Sequence, residues 1–178
     1  MMEYFDLYTI DRKPLGKLVQ RGAPISRGEY HIVVQIMTVN SKGEVLLTQR
    51  VPEKTSGGKW ECSGGCAVSG ESSEEAAVRE LREETGIRIT SRDIIRQWSM
   101  ITDSMLRDFY ITHTDASLEE LKLQSTEVCA AKWVSFDRLV EMSRSGQTTR
   151  TISRWLDNCE NDLRRRVEGI KNSAQALS

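Results

Sequence analysis

The stretch GCAVSGESSEEAAVRELREETGI, Gly65 to Ile87, decides how this chain of 178 residues is read. Ser72 and Glu75 form the S-x-x-E pattern of a capping box, and Gly86 stands where a helix stops, so the spacing predicts a helix from Ser72 to Thr85. On a helical projection with Glu80 at zero, Glu83 falls about 60° to one side and Glu84 about 40° to the other. Ala76 and Ala77 share that face one turn earlier, while Val78, Leu81 and Thr85 form a separate stripe suited to burial. Three carboxylates therefore share one helix face, with small residues beside them.

Like charges at i, i+3 and i+4 repel by a few tenths of a kcal/mol per pair on an exposed helix. A solvated face, relieved by Arg79 and Arg82, is one account of such a cluster. The other is a divalent cation: hard oxygen ligands in a compact set suit Mg²⁺ or Mn²⁺, which retain open positions for phosphate oxygens. The full spacing separates the two accounts. It reads Gly65, five residues, Glu71, seven residues, Arg79-Glu80-Leu81, one residue, Glu83-Glu84, one residue, Gly86-Ile87. A chance match of that pattern anywhere in the chain is on the order of 10⁻⁷ from average residue usage.

Position for position, this pattern resembles the signature box of the Nudix hydrolases. The stretch before it, from Tyr30 to Trp60-Glu61-Cys62-Ser63-Gly64-Gly65, is similar to the strands that lead into the box in that family. The resemblance implies an α/β fold, an α/β/α sandwich around a mixed β-sheet. It also implies hydrolysis of a diphosphate linked to another moiety, with Mg²⁺ or Mn²⁺ as cofactor. Carried onto this chain, Glu80, Glu83 and Glu84 ligate metal, and a backbone carbonyl near Gly64 or Gly65 completes the shell. Glu80 or a carboxylate outside the box serves as base. Glu127, six residues before Trp133, stands where some members place an additional carboxylate, with Asp103 and Asp108 as competing candidates. Glu71 and Arg79 are expected to join the loop to the helix through an ion pair. Arg50, at the end of a predicted strand, is a candidate phosphate clamp and Trp60 a candidate base-stacking residue; a surface arginine and a core tryptophan are the plain alternatives.

The rest of the chain agrees with an α/β reading. His31–Val39 and Val45–Leu47 flank the turn Asn40-Ser41-Lys42-Gly43 as a hairpin. Further strands are expected at Gln97–Thr102, Arg107–His113 and Ala130–Phe136, and short strands and turns in the first 30 residues. A short helix is expected near Leu139, and a last helix spans about 149–168, with Arg164-Arg165-Arg166 as its solvated end. The organisation expected is a single domain over 1–170, with an N-terminal extension at 1–30 and a disordered tail at 171–178.

Composition narrows the function classes. Lys plus Arg number 25 and Asp plus Glu 26, a net charge of −1, which lacks the basic footprint of a dedicated nucleic-acid binder. The longest apolar run, Ile32–Val39, is far below the ~20 residues of a membrane span. Glu3, Asp6 and Asp11 do not read as a signal peptide, so a cytoplasmic protein is expected. Cys62, Cys66, Cys129 and Cys159 are expected to be free thiols, since zinc would need four well-spaced ligands and the chain has only 2 His.

Two alternatives differ in class. The N-terminal stretch Glu3 to Tyr8, with Arg21-Gly22 and Gly28-Glu29-Tyr30-His31, resembles the Nudix branch that includes isopentenyl-diphosphate isomerases. Those enzymes place a cysteine, a glycine and a metal-binding histidine ahead of a degenerate box. Here Cys62 and Cys66 are out of register with that nucleophile and the hydrolase box is intact. A catalytically silent nucleotide-binding regulator is the other alternative; such proteins lose box carboxylates, and none is missing here. The resemblance also makes a homodimer plausible and leaves the particular diphosphate substrate open.

Overall fold

The computed structural model describes residues 2–176. Its contacts divide the chain into two compact units. The first comprises the segment up to Ile36, Gly64–Arg82 and Arg88–Ile111; the second comprises Met37–Ser63, Glu83–Ile87 and the segment from Thr112 onward.

The first unit opens with an antiparallel hairpin of β1 (Tyr4–Tyr8) and β2 (Pro14–Gln20), paired Tyr4 to Gln20 through Asp6 to Leu18. Strand alternation turns Phe5, Leu7 and Val19 inward, where they pack with Leu15, Ile25 and Cys66. Tyr8 and Tyr30 exchange backbone hydrogen bonds of 2.8 and 2.9 Å, and the Phe5 ring stacks on His31 at 5.2 Å. Strand β3 (His31–Val39) is buried along its whole length, as expected of an apolar β-branched run. After β4 (Glu44–Arg50) and β5 (Trp60–Glu61), β6 (Ser63–Cys66) pairs with β3 and leads into α1 (Ser73–Thr85). Strands β7 (Ile94–Thr102) and β8 (Met105–His113) continue the path β3-β8-β7. They turn at Asp103 and are held by Trp98 stacked on Phe109.

In the second unit β4 pairs antiparallel with β5 and with β9 (Val128–Ser135), Glu44 facing Ser135 and Gln49 facing Ala130. A shift at Gln49/Arg50 ends the regular ladder. Helices α2 (Phe136–Arg144) and α3 (Arg150–Gln175) complete the unit. Leu139, Met142, Ile152, Trp155 and Leu163 are fully buried there. Phe136 opens α2 rather than closing the strand, because the Ser135 hydroxyl caps the Arg138 amide.

The last helix corrects two expectations. It runs to Gln175, so residues 171–175 are helical and not a disordered tail; 177–178 lie outside the described residues. The arginine run is consequently mid-helix, and Arg164 lies over the Phe136 ring at 4.9 Å while bonding Asp137 at 2.6 Å. That helix is interrupted at Cys159, whose φ of −145° leaves the helical region. No helix among the described residues is long and apolar enough to cross a membrane.

Candidate active site

The capping box forms as the spacing requires: the Glu75 amide donates to the Ser72 hydroxyl at 3.2 Å, and the Ser72 amide to Glu75 at 2.8 Å. Gly86, at φ +79°, ends the helix. Burial along α1 corrects the projection. Ala76, Ala77, Leu81 and Thr85 are all fully buried, Glu84 is 5% exposed, and Val78 is only half-buried. The alanines therefore serve close packing of the helix; they do not line open space for a ligand. Glu84 belongs to this inward face, Glu80 to its margin, and Glu83 to the exposed side.

Arg79 organises the first unit's share of the box. Its Nε and Nη2 donate to the two Glu71 oxygens at 2.7 and 3.0 Å, a bidentate pair. Nη2 also reaches the Cys66 carbonyl at 3.0 Å, and Nη1 donates to Glu80 Oε1 at 2.9 Å. Burial alone would lower the Arg79 pKa, but Glu71 and Glu80 together hold it above its ordinary value. The expected Glu71–Arg79 pair thus joins loop to helix and fixes the Glu80 carboxylate as well.

Gly65 and Glu80 make the closest approach. A Cβ built on Gly65 would lie 2.3 Å from Glu80 Oε1, so only glycine brings this backbone against that carboxylate. Gly65→Ala should therefore displace Glu80 at little cost in stability, because the opposing atom ends a flexible side chain. We expect roughly tenfold or greater loss of metal-dependent activity with a near-unchanged melting temperature. Gly64→Ala provides the contrast, since its Cβ would meet the Val34 carbonyl oxygen at 2.3 Å. Backbone cannot step aside so easily, and thermal unfolding should show a loss of about 1–3 kcal/mol.

The second unit holds another set of charges. The Thr85 and Glu84 carbonyls accept from the Lys122 and Gln124 amides at 2.8 and 3.1 Å, tying the segment that delivers Glu127 to the helix end. The half-exposed Glu127 carboxylate pairs with Lys54 at 2.5 Å. Arg50 donates through Nη1 to Glu61 at 2.5 Å and through Nε to the Thr55 carbonyl at 2.8 Å, so these two nitrogens are committed to the protein. Lys132 stands 3.8 Å from the centroid of the half-buried Trp60 ring, covering a face that a base would use.

Glu61 received no role from the sequence. It is buried at 9% exposure; burial raises its pKa, Arg50 pulls it back and Glu127 pushes it up again, leaving it above the ordinary value. Its position ahead of Gly64-Gly65 was the available signal. Asp108, by contrast, is not an available base. It is fully buried and accepts two bonds from Arg12 at 2.6 and 2.8 Å, one from Ser73 at 2.6 Å and one from Ser99 at 2.5 Å. Asp103 is an exposed turn residue at φ +51°.

Among the described residues no group of three or more His, Cys, Asp or Glu side chains forms a metal-holding set. The donor chemistry still fits a divalent cation: carboxylates from one unbroken helix, Glu80 among them, beside a glycine whose missing side chain leaves its backbone at the Glu80 oxygen.

A NUDIX domain match covers residues 29–156, more than half of the chain. This chain belongs to the Nudix family. An uncharacterized Nudix hydrolase of Listeria monocytogenes, lmo0368, is 33% identical over 148 residues, covering 82% of this chain and 88% of its own. The MutT protein of Methanosarcina mazei superposes with a TM-score of 0.58 at 29% identity, over 78% of this chain and 93% of that one. DR0079 of Deinococcus radiodurans superposes with a TM-score of 0.70 over 94% and 99%, and at 22% identity it shows the shared fold alone. The α/β Nudix fold and the Nudix reaction class, pyrophosphohydrolysis of a phosphorus anhydride, are thus those of this protein.

Proposed function

We propose that this Nudix hydrolase cleaves a nucleoside diphosphate linked to another moiety, using Mg²⁺ or Mn²⁺ held by Glu80, Glu83, Glu84 and the Gly65 carbonyl. The approach of Gly65 to Glu80, with Glu80 oriented by an Arg79 that Glu71 holds bidentately, carries this reading. A divalent cation supplies charge neutralisation of the diphosphate and Lewis acidity.

The protein's own groups do the remainder. Arg50 and Lys54 are the cations that incoming phosphate oxygens attract, and each is paired with a carboxylate, Glu61 and Glu127 respectively. Phosphate binding exchanges these partners and releases the carboxylates. Glu127 then accepts the proton of the attacking water. Trp60 contributes an aromatic face for the non-phosphate moiety once Lys132 moves aside. Residues 1–170 act as one Nudix domain, in the cytoplasm. Support for a homodimer comes from β7, which ends its strand path and exposes Ile95 and Ile101 at 55% and 48%.

The test is a release assay over nucleoside di- and triphosphates, nucleotide sugars, ADP-ribose, coenzyme A and isopentenyl diphosphate, with Mg²⁺, Mn²⁺ or EDTA. Cleavage of a diphosphate bond that disappears in EDTA is the expected result. Isomerisation of isopentenyl diphosphate without cleavage would replace the hydrolase by the isomerase, and metal-dependent ligand binding without turnover would indicate a sensor.

A further inference from the structure

Residues 2–28 precede the matched domain, yet the hairpin they form reaches the box at two points. We propose that Asp6 is a positioning residue of the hydrolase, acting through the loop Val68–Gly70 and Glu71 on Arg79, and through Arg79 on Glu80. This role presupposes the metal-bearing helix proposed above.

Each link is a hydrogen bond. Asp6 Oδ2 accepts from the Gly70 amide at 2.7 Å and Oδ1 from the Ser69 hydroxyl at 3.2 Å. Two residues earlier on the same strand, the Tyr4 carbonyl accepts from the Ser69 amide at 2.7 Å. The loop so gripped closes on itself: the Glu71 amide donates to the Val68 carbonyl at 3.0 Å, and the Val68 amide to Glu71 Oε2 at 3.0 Å. Glu71 therefore has little freedom once Ser69 and Gly70 are held, and Glu71 is the bidentate partner of Arg79. Arg79 in turn holds Glu80 Oε1 and the Cys66 carbonyl.

The hairpin can bear on this loop because it is itself fixed. Phe5, Leu7 and Val19 are buried with Cys66, at the end of the strand that contains Gly65, and Tyr8 is bridged to Tyr30. Arg12, at the hairpin turn, adds the second point of contact: it holds Asp108, which accepts from Ser73 in the first turn of α1. Loop and helix start are thus both tied to one hairpin.

The chemistry at position 6 is specific. A carboxylate offers acceptors to an amide and a hydroxyl at once; asparagine keeps one acceptor and can donate to the Ser69 oxygen; alanine offers neither. Because Ser69 and Gly70 are exposed, losing these bonds costs little global stability, and the effect falls on orientation.

Mn²⁺ alone is the probe. Its binding is measured by titration in the full chain for wild type, Asp6→Ala, Asp6→Asn and Glu29→Ala, alongside hydrogen exchange over residues 67–80 and thermal unfolding. Glu29, the first residue of the matched domain, pairs with Lys17 of the hairpin, and its variant controls for lost charge. Asp6→Ala should bind Mn²⁺ about tenfold more weakly. Exchange should quicken through Glu71 into the first turns of α1, with a melting temperature close to wild type. Asp6→Asn should recover most of both, and Glu29→Ala should match wild type. Mn²⁺ binding and exchange unchanged in Asp6→Ala would overturn the proposal, as would faster exchange confined to residues 69–70. If Glu83→Gln binds Mn²⁺ like wild type, the metal assignment of α1 fails instead, and the spread or confinement of exchange still decides the role of Asp6.

Discussion

Glu83→Gln should lower kcat/KM for the metal-dependent reaction by about a thousandfold or more while the fold persists. Glu83 is on the exposed side of α1, so an isosteric amide removes charge without leaving a cavity. It also relieves repulsion between neighbouring carboxylates of the cluster, worth a few tenths of a kcal/mol in favour of the helix. The catalytic cost is of another size. Losing a hard anionic ligand forfeits a share of the several kcal/mol that a bound cation contributes to transition-state stabilisation. About 4 kcal/mol corresponds to three decades at 1.36 kcal/mol each. Steady-state kinetics on the substrate found in the release assay, with thermal unfolding in parallel, provide the measurement. Activity within tenfold of wild type would remove Glu83 from the metal shell.

Arg12→Met should cost about 3 kcal/mol, the lower end for breaking a buried ion pair, and lower the melting temperature by about 6–12 °C in a chain of this size. The lower end applies because Arg12 is one-third exposed, and Ser73 and Ser99 still donate to the fully buried Asp108. The pH dependence carries the diagnosis. Burial pushes the Asp108 carboxyl up, but the bonds from Arg12, Ser73 and Ser99 and the Arg12 charge outweigh it, leaving the pKa below its ordinary value. A depressed folded-state pKa means stability that is present above the unfolded value, about 3.9, and lost as pH falls through the folded one. The gap between wild type and Arg12→Met should therefore be full at neutral pH and close below about pH 4. A gap under about 1 kcal/mol, or one that persists in acid, would show that the ion pair does not hold this region together.

What the sequence disclosed and what it concealed divide along chain distance. The α1 helix, its capping box, Gly86 and the Glu71–Arg79 pair all lie within one stretch, where a helical period and a spacing suffice. The surroundings of Asp108 were out of reach, because Arg12 is 96 residues away and Ser73 is 35. The same holds for Lys54 and Glu127, 73 residues apart. Glu61 was one carboxylate among 26 acidic residues until burial and Arg50 distinguished it. Projection of α1 fixes the angles between its residues but not which arc is covered: the buried arc takes in Ala76, Ala77 and Glu84 with Leu81 and Thr85, and leaves Val78 at its margin. The end of α3 is not legible in the sequence because its last turns carry polar residues, which suit an exposed helix as well as a loose tail.

The tether between the end of α1 and the segment 122–127 bears on where such an enzyme can gain residues. Thr85 and Glu84 pin Lys122 and Gln124 by their amides, and the Glu127 and Val128 amides fold back on the Gln124 carbonyl at 2.8 and 2.9 Å. A residue inserted anywhere in that span would pull Glu127 out of step with the helix. Upstream, the short 3-10 turn Leu118–Glu120 buries none of its own residues. Length can vary there without disturbing the tethered span, so the chain has a built-in splice point: residues added before Leu121 would leave Glu127 in step with the end of α1.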